Sequence, residues 1–229
     1  KELIRKNKFP KVIMLSGEKG IGKFTLVNHL MHYLFDRENY KENSYEFSLK
    51  SVFHNQFKNN LISNIKYLNA NEFNNVKIDD VRKLKNDLLK KNLNQYKRFV
   101  ILDDVETFNI NTLNALLKII EEPSEQTYFF LINNKKKELL QTIKSRCLEI
   151  KVILNKNDQS EIFSFITKYF KQNSFLDNNL VKTSPGNLLK YNYLIEKNNI
   201  NPNDNFIQNI KIFLDLYKKE KNLFYKDTL

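Results

Sequence analysis

The residues with the plainest chemical sense are Gly17-Glu-Lys-Gly20-Ile-Gly22-Lys23-Phe24-Thr25. They follow the apolar run Val12-Ile-Met-Leu15 and lead into a helical pattern from Phe24 to Phe35. Gly-x4-Gly-Lys between a strand and a helix is the frame of a phosphate-binding loop. Glycines let backbone N–H groups approach phosphate oxygens, and the helix N-terminus adds partial positive charge. Gly17, Gly20, Gly22 and Lys23 are therefore candidate nucleotide contacts. The next residue ordinarily carries a hydroxyl for Mg²⁺. Here it is Phe24, whose ring cannot ligate a hard cation. Thr25 offers a hydroxyl one position late and is kept as a candidate contact.

The second chemical signal is Phe99-Val-Ile-Leu102-Asp103-Asp104, an apolar strand ending in carboxylates. Phosphate-loop ATPases place an acidic residue near Mg²⁺ in this way, which makes Asp103 a candidate. Asp104 stands where such an enzyme usually has a Glu to orient the attacking water. Asp is one methylene shorter, and a displacement of about 1 Å can cost on the order of 100-fold in rate.

Short apolar runs alternate with helical patterns from Lys11 to about Ile153, the rhythm of a parallel α/β sheet. Strands are expected at Val12–Ser16, Lys66–Leu68, Phe99–Leu102, Tyr128–Ile132 and Leu148–Val152. Helices are expected at Phe24–Phe35, Ile78–Asn92, Asn111–Glu121, Leu139–Lys144 and Gln159–Lys171. Asp79 or Asp80 is a candidate cap for the second helix, and Pro123 stops the third. Residues 36–64 read as a polar loop with one helix around Val52–Ile62. The expected domains are 1–153, an α/β nucleotide-binding domain, then a small helical domain at 154–197, then a linker and helix at 198–229.

Composition bounds the rest. At 229 residues the chain has room for one full domain and a smaller one, taking roughly 150 residues per domain. No apolar run approaches the roughly 18–20 residues of a membrane span. One cysteine, Cys147, excludes an internal disulfide and a multi-cysteine zinc site. His29, His32 and His54 have no metal-ligand pattern, and His29 and His32 read as surface or half-buried helix residues. A net charge of +12 fits a nucleic-acid partner. It fits equally well a genome whose AT-rich codons favour Lys, Asn, Ile, Phe and Tyr.

Two further segments carry a resemblance. Asn109-x-x-Thr-Leu-Asn114-Ala-Leu-Leu-Lys118-Ile-Ile-Glu121-Glu122-Pro123 resembles the helix after the acidic strand in bacterial clamp-loader subunits of the AAA+ family. Thr142-Ile-Lys-Ser145-Arg146-Cys147 resembles their Ser-Arg-Cys motif. With the phosphate loop and Ile78-Asp-Asp-Val-Arg82, the likeness spans about residues 10–190 and is nearest to the delta-prime type of DNA polymerase III.

The resemblance implies a P-loop AAA+ sheet flanked by helices, a helical lid and the start of a collar domain. It implies that Arg146 reaches a neighbour's ATP as an arginine finger, a planar permanent cation matched to phosphate oxygens. Asn133 falls at the first-sensor position. Thr183-Ser-Pro-Gly186-Asn187 resembles the start of the second-sensor helix, with Gly186 or Asn187 where active subunits have Arg. The implied partners are the gamma/tau and delta subunits, the sliding clamp and primer-template DNA, with Arg82, Lys83 and Lys85 as candidate phosphate contacts. No membrane partner is implied, and the implied location is the bacterial cytoplasm, at the nucleoid-associated replisome. ATP or ADP is the expected ligand, with Mg²⁺ left open and the four-cysteine zinc module absent. A weak or absent ATPase of its own is expected. The alternative is a working AAA+ ATPase, the gamma/tau motor of the same machine.

Overall fold

The computed structural model describes residues 8–70, 76–89, 97–170, 183–201, 205–221 and 225. The chain divides into two compact units, Lys1–Gly17 with Lys23–Val152, and Glu18–Gly22 with Ile153–Leu229.

The first unit is built on five strands, β1 (Val12–Ser16), β4 (Ile65–Asn69), β5 (Arg98–Asp103), β6 (Thr127–Asn133) and β7 (Leu148–Lys151). They form one parallel sheet in the order β4-β5-β6-β1-β7. The three inner strands are continuous runs of buried residues, as strands covered on both faces must be. Helices α1 (Lys23–Phe35), α2 (Val52–Lys58), α3 (Ile78–Leu89), α4 (Ile110–Ile120) and α5 (Gln141–Lys144) complete it.

Alternation along the strands sends side chains to two separate cores. Ile13, Leu15, Ile65, Phe99, Ile101, Phe130 and Ile132 meet Val27 and Met31 of α1 and Phe57 of α2. Val12, Met14, Val100, Leu102, Phe129 and Leu131 meet Val81 and Leu84 of α3 and Leu113, Leu116 and Ile120 of α4. The first core is strongly aromatic: Phe9, Phe24, Phe35, Phe53 and Tyr67 pack around it. Aromatic pairs of this kind contribute about 0.5–1.5 kcal/mol each beyond the area they bury.

The region read as a loop holds a small antiparallel ribbon, β2 (Tyr40–Lys41) and β3 (Glu46–Phe47). Helix α2 ends at Lys58 rather than Ile62, because Asn60 takes a left-handed φ of 54° that a helix cannot continue. Asp80 caps α3 from inside its first turn: its Oδ2 accepts the backbone N–H of Lys77 at 2.8 Å. The expected last residues of that helix, 90–92, lie outside the described residues.

Helices α6 (Lys156–Phe170), α7 (Pro185–Lys197) and α8 (Phe206–Glu220) belong to the second unit. Helix α6 starts three residues before its expected position because Asn155 Oδ1 accepts from Asp158 N and fixes the first turn. Residue 171 of its expected range, and residues 202–204 of the expected linker, lie outside the described residues. Tyr191, Leu194 and Ile195 of α7 pack with Phe213 of α8 and Tyr225. The Tyr191 hydroxyl accepts from Asn209 Nδ2 at 2.9 Å within this core.

Candidate nucleotide site and the Arg146 turn

Sheet order puts the ends of β1, β6 and β5 side by side. Ser16 lies opposite Asn133, and Leu102 opposite Leu131, so Gly17, Asn133 and Asp103 emerge together at the carboxyl edge. That edge is where open α/β sheets bind ligands. Gly17 N–H donates to the Asn133 carbonyl at 3.2 Å. Gly20 and Gly22 hold φ of 86° and 94°, conformations that favour glycine.

Lys23 is 3% exposed, and its ammonium donates to the Gly17 carbonyl at 2.9 Å. Burial lowers its pKa to about 8, against the opposing pull of Asp103, Glu106 and Asp104. Asn133 is buried at the end of β6, and its Oδ1 accepts Lys135 N–H at 2.9 Å. Asp104 is 1% exposed in a left-handed conformation, φ 54°, heading a short 3₁₀ turn. Its Oδ1 accepts from Asn134 Nδ2 at 2.8 Å and lies 3.5 Å from Lys136 Nζ. Glu106, which the sequence did not single out, is buried beside them. Burial raises its pKa, and Lys136 N–H donates to its Oε1 at 3.4 Å.

Phosphate and metal fare differently here. In the first unit, the buried lysine at the start of α1 suits a phosphate; in the second, Gly20 and Gly22 hold the left-handed backbone such loops use. The residues for Mg²⁺ do not fit. Phe24 turns its ring to Tyr67 at 5.0 Å and to Phe57 at 6.4 Å, and Thr25 is exposed one helical step round. Asp103 spends its Oδ2 on the Tyr67 hydroxyl at 3.3 Å and its Oδ1 on Asp104 N–H at 2.9 Å, with Asn134 Nδ2 at 3.4 Å.

Within the second unit, Gly186 N–H, in the first turn of α7, donates to the Gly20 carbonyl at 2.9 Å. A Cβ on Gly186 would lie 2.7 Å from that oxygen, and one on Gly20 would lie 2.2 Å from Ser184 Oγ. Of the two positions offered for the lost second-sensor arginine, Gly186 or Asn187, Gly186 is one where a side chain does not fit.

Arg146 sits in the exposed turn between α5 and β7. Its Nη1 donates to the Thr142 carbonyl at 2.9 Å, and its Nη2 lies 2.6 Å from Glu121 Oε1 at the C-cap of α4. Next to it, burial pushes the Cys147 thiol up to about 12, so it is an inert packing residue at neutral pH.

The family model described as DNA polymerase III, delta subunit, matches residues 1–155. The chain belongs to this family. The chain is 27% identical over 232 residues to the DNA polymerase III subunit delta' of Buchnera aphidicola subsp. Schizaphis graminum, covering 98% of this chain and 62% of that relative. It is 39% identical over 74 residues to the delta' subunit of Pseudomonas aeruginosa, covering 32% of this chain and 23% of that protein. A gamma subunit from the same Buchnera matches at 29% over 136 residues, 55% of this chain and 37% of that one. The chain thus spans less than two thirds of these relatives.

Among solved structures, a DNA polymerase III gamma subunit-related protein of Thermotoga maritima superposes with a TM-score of 0.51 at 21% identity, covering 85% of this chain and 57% of that one. RuvB from Thermotoga maritima superposes at 0.50 and 13% identity, covering 86% and 58%. The likeness is one of fold, that of the AAA+ proteins.

This delta-family chain also carries a basic groove on the outer face of its first unit. A cavity of about 360 Å³ between α3 and α4 is lined by Arg82, Lys85 and Lys118 together with Asn111 and Asn114. Lys83 is exposed on α3 but does not line it. Arg82 also pairs with Asp79 at 3.1 Å. Among the described residues, no group of His, Cys, Asp and Glu is arranged to hold a metal ion, and no helix is long and apolar enough to cross a membrane.

Proposed function

We propose that this chain is a delta-prime-type, non-motor subunit of a DNA polymerase III clamp loader, lending Arg146 to the ATP of a neighbouring subunit. The observation that carries the reading is the contrast between two sites. Arg146 stands on an exposed turn with its guanidinium oriented by Glu121 and the Thr142 carbonyl. The chain's own acidic strand ends in carboxylates already committed to Tyr67, Asn134 and backbone amides.

In this reading the neighbour's phosphates receive a fixed, permanently charged fork as negative charge builds on their oxygens. The chain's own loop, Gly17 to Lys23, holds the phosphates of ATP or ADP through backbone amides and Lys23 without hydrolysing them. Its partners are gamma/tau and delta subunits, a sliding clamp and primer-template DNA. The groove of Arg82, Lys85 and Lys118, with Lys83 beside it, supplies cations for DNA phosphates.

The competing reading, a gamma/tau motor, draws on the likeness to gamma subunits. Phe24, the short and buried Asp104 and the filled space at Gly186 weigh against it. A single-turnover hydrolysis assay on the purified chain tests the choice. Rates far below those of a competent loader ATPase are expected, and rates equal to it would reject the proposal.

A further inference from the structure

The mismatch with Mg²⁺ has a specific agent. Tyr67 and Asn69 are two apart on β4, so they share one face of the sheet. Tyr67 lies opposite Ile101 and Asn69 opposite Asp103 on β5, so the Tyr67 ring stands on the face of α1, beside the last carboxylate of the neighbouring strand. Its hydroxyl accepts from Asn69 Nδ2 at 2.9 Å and donates to Asp103 Oδ2 at 3.3 Å. Phe24 holds that ring at a centroid distance of 5.0 Å, and Phe57 backs Phe24.

We infer that Tyr67, braced by Phe24, closes Asp103 to divalent cations and, together with the missing hydroxyl at position 24, keeps the site from taking a metal ion. A cation such as Mg²⁺ needs oxygen ligands at about 2.0–2.1 Å in near-octahedral array. A phenol hydroxyl donating to Oδ2, with Oδ1 accepting from Asp104 N–H and Asn134 Nδ2, competes for the carboxylate lone pairs such an ion would use. The inference rests on the reading that this chain does not run metal-dependent hydrolysis, and it adds a consequence of its own. Restoring a hydroxyl at position 24 leaves Asp103 closed, whereas removing the Tyr67 oxygen as well opens it.

The experiment uses the full chain with Mn²⁺ and ATP as probes, reading the water-proton relaxation of bound Mn²⁺ and the ATP affinity with and without the metal. Wild type, Phe24→Thr, Tyr67→Phe and the double variant are compared, with melting temperatures confirming that each is folded. Tyr67→Phe keeps the ring and its packing on Phe24, so the comparison isolates one oxygen. Wild type, Phe24→Thr and Tyr67→Phe are expected to bind ATP equally with and without Mn²⁺. The double variant is expected to gain at least about tenfold in ATP affinity on adding Mn²⁺, roughly 1.4 kcal/mol. Metal dependence in Phe24→Thr alone, or none in the double variant, would overturn the role of Tyr67. Mg²⁺-dependent hydrolysis by the wild type would instead overturn the functional reading.

Discussion

Arg146 and Glu121 meet at 2.6 Å, the carboxylate at the end of α4 holding the guanidinium that follows α5. Both side chains remain partly exposed, at 36% and 44%. An ion pair this open contributes little to folding, about 0.2–1 kcal/mol. Its use is orientation: one edge of the fork is tied to Glu121 and one nitrogen to the Thr142 carbonyl. Glu121→Gln should therefore melt within a few degrees of wild type while lowering ATP turnover of the assembled complex, by less than Arg146→Ala does. Thermal melts and steady-state ATPase on the same preparations check both halves.

Gly186 should tolerate no side chain. The N–H of Gly186 bonds Gly20 O, and a Cβ would sit 2.7 Å from that backbone oxygen, which has no flexible end to yield. Gly186→Ala is expected to cost about 1–3 kcal/mol, the usual range for overpacking. Asn187→Ala, one residue on, serves as the comparison and should cost less. Denaturant titration of the two variants measures the difference.

Acid should loosen the aromatic core through its histidines. His32 is fully buried, not at the surface or half-buried as its spacing suggests. Its Nδ1 lies 2.9 Å from the Asn28 carbonyl and its Nε2 lies 3.2 Å from His54 Nδ1. The set is satisfied when both rings are neutral and carry their proton on Nδ1, and a proton on His32 Nε2 would remove the acceptor His54 uses. Burial holds His29, His32 and His54 below the ordinary histidine value. The unfolded chain then binds more protons than the fold as pH falls below about 6.5, so stability is full above that value and declines beneath it. Melts at about pH 7.5 and about pH 5.5 should differ by several degrees, and His32→Phe should reduce the difference.

Nucleotide binding by the loop should weaken in base. Burial brings Lys23 to about 8, so the free loop loses its cation as pH rises through that value. The affinity for ATP measured without metal is expected to fall between about pH 7 and about pH 9, and Lys23→Met should be weak at both.

Much of this was legible from local pattern. β1 was read to its residue limits, and β5 and β6 to within one residue at each end, because strands buried on both faces are unbroken apolar runs. The loop glycines and Asp103 carry their geometry in their types and spacing. Tyr67 was invisible for a different reason: its link to Asp103 depends on β4 lying beside β5, a pairing set by strand order and not by neighbouring residues. Glu106 goes unmarked in the sequence, since nothing in its neighbours announces burial. The ribbon at Tyr40–Lys41 and Glu46–Phe47 is too short for alternation to register.

The central claim is that Arg146 acts on a nucleotide this chain does not hold, and DNA-stimulated ATP turnover by the complete loader carrying Arg146→Ala tests it most directly. Removal of an arginine finger lowers hydrolysis at the affected site by about 10³–10⁵. The account predicts that turnover at the adjoining subunit collapses to that degree while nucleotide affinity of the variant chain itself stays at the wild-type value. Turnover unchanged in the complex containing Arg146→Ala would contradict it.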